Sequence, residues 1–379
     1  MQIVPLSPDM APALQQFLAR HYPDCPAKAD PAYRTWKFSA HPAGSALSDY
    51  LLAIDEGVIV GQLALIKDYV WTAGSVTPCY WLADLIVAES HRTTAALFQL
   101  LRTAMANHPL LMLNGATEKL APLFHRFGWK PLTVMTDFYQ ILRPSGALRF
   151  GRGVGRMGRL RHFMPLVAIA DGILPLAWSL VTQAQTAFGR YDVRPLDPLD
   201  REIGTLFAAI VPKLGATSAR DASIYQWKTH QRPIGTDITL GAYDAVSGIL
   251  RGCLVAKIMD RVGVARWIEI SDLLVDPDDH GCLIALLTSV RRMALDTRAD
   301  FLRARLGWPA LAGTLARQGW LARPSTFSNQ VLAYSRDNDH LQALTELPWT
   351  LTAMIGDTVD TGRDEWRVDQ TTRLAPISG

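Results

Sequence analysis

Little in this sequence would staple the chain to itself or bind a metal. Its 379 residues include four cysteines, Cys25, Cys79, Cys253 and Cys282, with no C-x-x-C pair and no spacing of a disulfide framework. That excludes a small stapled scaffold and predicts a reducing, cytoplasmic home. The nine histidines contain no pair at i, i+3 or i, i+4, so no helix presents two imidazoles to one ion and no metal site is expected. Met1–Pro5 lacks a basic segment followed by an apolar run, so no export signal is predicted. Charge of one sign is also scarce: 38 basic against 35 acidic side chains give a net +3, too little for a nucleic-acid footprint. What is present is a folded composition, 49% hydrophobic and 19% charged, in a chain long enough for two domains of about 150 residues.

A repeat organises the chain. Trp36-Lys37 recurs as Trp227-Lys228, Pro42-x-Gly44 as Pro233-x-Gly235, Gly61-x-Leu63 as Gly252-x-Leu254, and Arg126-x-Gly128-Trp129 as Arg317-x-Gly319-Trp320, each displaced by 191 (227 minus 36). Val4–Pro8 aligns with Arg194–Pro198 one residue out of that register, and Asp84–Val87 with Asp272–Val275 at 188. Coincidence of rare Trp, Gly and Pro at one offset marks a duplicated domain.

Both copies predict the same elements. In the first, Ala11–Arg20 has helical apolar spacing, and Tyr50–Ile54 and Val58–Lys67 are strands joined by the turn Asp55-Glu56-Gly57. Trp81–Val87 is a strand, Thr94–Ala106 a helix, Leu110–Leu113 a short strand, and Glu118–Phe127 a helix stopped by Gly128. The second repeats the order with Leu240–Tyr243, Gly248–Met259, Trp267–Val275, Leu283–Leu295, Phe301–Arg305 and Leu311–Gln318. The order is β-α-β-β-β-α-β-α-β. The paired tryptophans are expected to pack while Lys37 and Lys228 snorkel outward.

The hairpin through Gly61, the strand ending Asp84–Val87, Arg92 five residues later and the closing Leu123-Phe124-His125-Arg126-Phe127-Gly128-Trp129 together resemble the GNAT superfamily of acyl-CoA N-acyltransferases. The resemblance covers residues 1–144 and 191–336, and implies an α/β (α+β) fold of two tandem GNAT-like domains, each a mixed, mostly antiparallel sheet flanked by helices. Residues 145–190 are expected to be a basic and apolar linker and 337–379 a tail. Trp36-Lys37 with Pro42-x-Gly44 is similar to a bacterial tandem subgroup, some members of which are associated with surface polysaccharides.

The resemblance implies acetyl or another acyl group moving from acyl-CoA to an amine of a small molecule or amino sugar. The physical logic is a strand that splays from its neighbour to admit the pantetheine arm, and a helix N-terminus that meets the pyrophosphate with free N–H groups. Cofactor contacts fall on Val87, Arg92, Thr93, Thr94 and Ala95; Asp84 becomes the base and Asn114 a polar anchor at the end of its strand. Two departures stand out. Ala95 and Leu97 replace the loop glycines of the first copy, whereas the second reads His280-Gly281-Cys282-Leu283-Ile284-Ala285. The family's proton-donating tyrosine is Phe124 in one copy and Leu315 in the other. Asn114 favours the first copy for cofactor binding, and the departures keep open a non-catalytic scaffold in an envelope polysaccharide pathway. An aminoacyl-tRNA-dependent transferase of the peptidoglycan type is the other alternative.

Between the copies, arginines stand at 143, 149, 152, 156, 159 and 161, with no acid from Asp137 to Asp171, before the apolar stretch Phe163–Val181. Gly153–Gly158 matches G-x-G-x-x-G but follows no buried strand, so a dinucleotide fold is not expected. Asp171, Pro165, Gly172 and Pro175 argue against a spanning helix and for an amphipathic linker helix packed on one domain. The alternative is peripheral contact of 145–181 with an anionic inner-membrane surface.

Overall fold

The computed structural model describes the chain except residues 24, 45, 117–119, 153–163, 188, 198–199, 234–236, 324–328, 356–366 and 369–379. The G-x-G-x-x-G match, Arg156, Arg159 and Arg161 therefore lie outside the described residues. The first repeat runs β1 (Gln2–Pro5), α1 (Ala11–His21), α2 (Pro31–Arg34), β2 (Tyr50–Asp55), β3 (Val58–Trp71), β4 (Val76–Val87), α3 (Ala96–Asn107), β5 (Leu110–Asn114), α4 (Ala121–Arg126), β6 (Lys130–Val134) and β7 (Thr136–Ile141). The helices α5 (Pro144–Arg152) and α6 (Met164–Ala187) follow. Then come β8 (Tyr191–Pro195), α7 (Glu202–Ile210), β9 (Thr217–Ser218), α8 (Ala222–Tyr225), β10 (Ile238–Asp244), β11 (Leu250–Arg261), β12 (Ala265–Val275), α9 (His280–Asp296), β13 (Phe301–Gly307), α10 (Pro309–Arg317), β14 (Leu321–Arg323), β15 (Gln330–Ser335) and α11 (Asn338–Glu346).

The repeat is visible in local geometry. The β2–β3 turn has positive φ at Glu56 (48°) and Gly57 (80°), the combination whose twist suits a two-residue hairpin. Gly128 and Gly319 end α4 and α10 at φ 81° and 78°, and the next residue closes the cap in the same way, Trp129 N to Phe124 O and Trp320 N to Leu315 O at 3.1 and 3.0 Å. Trp36 and Trp227 sit in matching π-turns, Thr35–Ser39 and Gln226–His230.

The sheets differ from two contiguous halves, and β9 of the second repeat pairs with β3 of the first. The closing strand expected of each copy is split, and its second piece joins the other copy's sheet. One sheet has the order β1-β2-β3-β4-β5-β15-β6 and the other β14-β7-β13-β12-β11-β10-β8. β15 runs antiparallel to both β5 and β6, and β7 antiparallel to both β13 and β14. Correspondingly, the compact units are Met1–Met135 with Leu214–Ile234 and Ser325–Asp364, and Thr136–Lys213 with Gly235–Pro324 and Glu365–Gly379. They replace the continuous boundaries at 144 and 191.

In the first unit, α1 and α11 cover one face of the sheet through Leu14, Leu18, Leu341 and Leu344, while α3 and α4 cover the other through Leu100, Leu101 and Phe124. The exchanged β15 is buried on both faces, Val331 and Ala333 on one side and Leu332 on the other. The segment from 337 to 355 is not a loose tail, since Leu341, Leu344, Trp349, Leu351 and Ile355 belong to this core. Their apolar spacing, at about 1.5–3 kcal/mol for each buried Leu or Ile, explains why the chain packs there.

Candidate functional site

The site expected in the first unit starts at a break in β4. Opposite β3, Ala64 faces Ala83 and Gln62 faces Ile86, so Asp84 and Leu85 together oppose the single Leu63. This β-bulge puts Asp84 at φ 50°, a left-handed conformation that aspartate tolerates better than most residues. Gln62 holds the bulge. Its Nε2 donates to the Asp84 carbonyl at 3.0 Å, and its Oε1 accepts from the Tyr50 hydroxyl.

The Asp84 carboxylate is buried and clamped by two ammonium groups. Lys37 Nζ approaches Oδ2 at 3.0 Å, and Lys28 Nζ donates to Oδ1. Lys37 is 1% exposed, so the expected outward snorkelling does not occur. Its ammonium meets Asp84 and lies 5.8 and 5.5 Å from the Tyr33 and Phe38 ring centres. Lys228 is buried too, donating to the Met354 carbonyl. Burial alone would raise the Asp84 pKa, but the Lys37 and Lys28 charges outweigh it and hold it at about 2. A carboxylate this acidic has little proton affinity at neutral pH, so its environment suits a fixed anion that positions two lysines more than a general base.

Beyond the bulge the sheet opens. β4 and β5 pair only at Tyr80–Leu111 and Trp81–Met112, while β4 continues to Val87 and β5 to Asn114. Asn114 pairs with Val331 of β15 at that open end, and its Nδ2 is buried with no partner among the described residues. Gln330, the next residue along β15, has a buried Oε1 in the same state. Asn114 shares the face of Val331 and Gln330 that of Leu332, so the two groups lie on opposite faces of the sheet, and each is costly unless a partner satisfies it.

Val87 closes β4 against Gly61, where a side chain on the glycine would meet the Ile86 carbonyl and Val87 at 3.3 Å. The chain then turns through Glu89–His91 into α3. Arg92 projects into solvent, 62% exposed, with Glu89 at 3.7 Å. Thr94 N and Oγ1 both donate to the His91 carbonyl, and Thr94 Oγ1 accepts from Ala96 N at 3.3 Å. Thr93 and Ala95 lie in the same turn, so the sequence-predicted loop residues are together at a helix start, beside an exposed cation.

The equivalent loop of the second unit is differently furnished. Asp279 caps α9, accepting from Cys282 N at 2.9 Å and from the Tyr191 hydroxyl, and Asp276 and Asp278 precede it around Lys213. A side chain at Gly281 would meet the Tyr191 ring at 3.3 Å. This N-terminus already carries its anion, and further acids repel a diphosphate. Phe124 and Leu315 are both fully buried core residues, so neither helix offers a hydroxyl at the tyrosine position.

His41 was not singled out in the sequence, yet it is buried against Trp227 with ring centres 4.2 Å apart, its Nδ1 accepting from Ala43 N. Burial first, and then the Lys228 charge, push its pKa down to about 3. The unfolded chain therefore takes up a proton that the folded one refuses. This contribution is intact above about pH 6.5 and is lost as pH falls toward 3, with a slope of about 1.4 kcal/mol per pH unit. Urea unfolding of His41→Gln should show a shallower loss of stability between about pH 4 and 6 than the wild type. An unchanged slope would mean that His41 is protonated in the folded state.

No protein-family model matches the sequence, and no curated protein does either. Solved structures do. A GCN5-related N-acetyltransferase from Anabaena variabilis matches 89% of this chain over 73% of its own, with a TM-score of 0.61 at 11% identity. Eis1 from Mycobacterium abscessus matches 91% over 76%, with a TM-score of 0.53 at 14% identity. A probable N-acyltransferase from Enterococcus faecalis matches 88% over 72%, with a TM-score of 0.57 at 11% identity. The chain has the tandem fold of the GCN5-related N-acetyltransferases, two mixed sheets with flanking helices.

Proposed function

We propose that the first unit binds an acyl-CoA, most simply acetyl-CoA, and transfers its acyl group to the amine of a small molecule or amino sugar. The observation that carries this reading is the opening between β4 and β5, where β5 ends on Asn114 with a buried Nδ2 that has no partner among the described residues and β4 leads to the helix start at Arg92–Ala95. Asn114 Nδ2 fits an amide carbonyl of the pantetheine arm, while Arg92, the Thr93–Ala95 turn and the first N–H groups of α3 fit the pyrophosphate. The amine nitrogen attacks the thioester carbonyl, the C–S bond breaks, coenzyme A leaves as its thiolate and the ammonium proton goes to water. With Asp84 held at a pKa of about 2 and Phe124 unable to donate, neither position supplies an acid or base for this step near neutrality. The kcat/KM should therefore rise with pH up to the acceptor's own amine pKa. A plateau well below that value would show an enzyme base at work.

Calorimetry and thermal shift with acetyl-CoA test the binding. At about 100 times the dissociation constant, a ligand that binds only the folded state stabilises it by about 2.7 kcal/mol. Arg92→Glu reverses a charge beside the pyrophosphate and should weaken binding at least about tenfold in a folded protein. Unchanged affinity would remove the first loop as the cradle. No binding by the wild type would favour the non-catalytic scaffold, which the two lost tyrosines already make the second reading.

A further inference from the structure

The helix α6 has its amphipathicity reversed. Its polar and bonding side chains face the second unit: Asp171 Oδ1 accepts from Ser145 N at 2.9 Å, and Trp178 Nε1 donates to the Ile141 carbonyl at 3.0 Å. Gln185 Oε1 accepts from Thr288 Oγ1 and Arg291 Nη1, both at 2.9 Å. Solvent meets the opposite stripe, Leu166, Ile169, Ile173, Leu176 and Leu180, each between 59% and 68% exposed. The spacing of three and four residues puts them on one line about four turns long, with Ala168, Gly172 and Ala177 beside them and no charge among them. Within Pro165–Thr186 an 18-residue window has a mean hydropathy of 1.6, and only 6% of that window is buried. Asp171, which seemed to interrupt the apolar run, is turned to the protein, where it caps α5.

Such a stripe is too long and continuous for a chance surface. The adjoining sequence indicates its occupant: Arg149 is exposed on α5, and Arg152, Arg156, Arg159 and Arg161 stand just before α6 with no acid from Asp137 to Asp171. Basic residues that adjoin a lengthwise apolar stripe in the sequence are complementary to an anionic lipid surface. A self-associating helix gains nothing from bringing two such positive segments together. We propose that α6 lies in the interface of an anionic membrane, apolar stripe down, and carries the folded chain as a peripheral protein. The contacts of Asp171, Trp178 and Gln185 along the other face hold it flat on its unit, and so it lies on the bilayer without crossing it. This inference is independent of acyl transfer.

The test is co-sedimentation of the full chain with vesicles of phosphatidylcholine alone or mixed with phosphatidylglycerol, at low and at about 0.15 M salt. Wild type should bind anionic vesicles at least about tenfold more than neutral ones, and less at the higher salt. Ile169→Gln with Ile173→Gln and Leu176→Gln should lose at least about tenfold of that binding while melting like wild type, since all three side chains are exposed. Replacing Arg152, Arg156, Arg159 and Arg161 by Ser should abolish the preference for anionic lipid. Equal binding by the glutamine variant, or none by the wild type, overturns the proposal. Sedimentation velocity supplies the third outcome. A wild-type dimer that becomes a monomer in the glutamine variant, without vesicle binding, would make the stripe a contact between copies of this chain and likewise overturn it.

Discussion

Trp227→Ala is expected to lower the unfolding free energy by about 3–5 kcal/mol, among the largest losses a single substitution can cause here. The side chain is 1% exposed and stacks on Trp36 with ring centres 5.1 Å apart and planes 20° from parallel. The two are also tied reciprocally, each indole Nε1 donating to the other's backbone carbonyl at 2.8 Å. Removing one ring leaves a cavity and an unpaired carbonyl, both within the first unit. Trp36→Ala should cost a similar amount, and the double variant much less than the sum, because the first substitution already destroys the shared contact. Denaturant unfolding of the three variants would measure the coupling. Additive losses would show that each tryptophan packs independently.

Asp84→Asn is the second large effect. It leaves the ammonium of Lys37, 1% exposed, without its carboxylate, and breaking a buried pair from one side costs about 3–5 kcal/mol. Lys37→Met combined with Asp84→Leu should recover much of that loss, because no buried charge is then stranded; Lys28 is the more exposed of the two lysines and can turn to water. The pH dependence has a definite sign. Because the folded carboxyl is held at about 2, below its ordinary 3.8, its contribution is full above about pH 4 and is lost as pH falls through 2. Asp84→Asn should therefore flatten the acid limb of the stability curve. If Asp84→Asn unfolds at the wild-type denaturant concentration, the lysine cluster is solvated and the buried ion pair is not a structural element.

Much of this was legible in the sequence because it is written locally. The offset of 191 located the matching π-turns at Trp36 and Trp227, and Gly128 and Gly319 marked two identical helix caps. The turn Asp55-Glu56-Gly57 named a hairpin by its need for positive φ. Less legible was whatever depends on a distant partner. The element order led to a closing strand in each copy, but nothing local says which sheet takes its second piece, Thr136–Ile141. Lys37 reads as a surface lysine until Asp84, 47 residues on, is seen to be buried against it. The direction in which α6 faces was hidden for the same reason: its apolar residues looked like the packed side, and only the hydrogen bonds of Asp171, Trp178 and Gln185 reveal the opposite. In the candidate site, Val87 and Arg92–Ala95 were named through family spacing, and the buried Gln330 was not named, because it comes from the other repeat.

The exchange of β7 and β15 bears on the origin of the chain. A single repeat with its last strand drawn out would have a gap beside β5 that its own strand vacated, and a twin of the same sequence could fill it reciprocally. Two such twins form a domain-swapped homodimer, whose assembly depends on concentration. Joining them end to end makes the partner strand always present at a high effective concentration, so the assembly no longer has to find its mate. Once joined, the copies are free to diverge. The second has put carboxylates where the first keeps an open helix start, and neither half can now be excised without taking a strand out of the middle of the other's sheet.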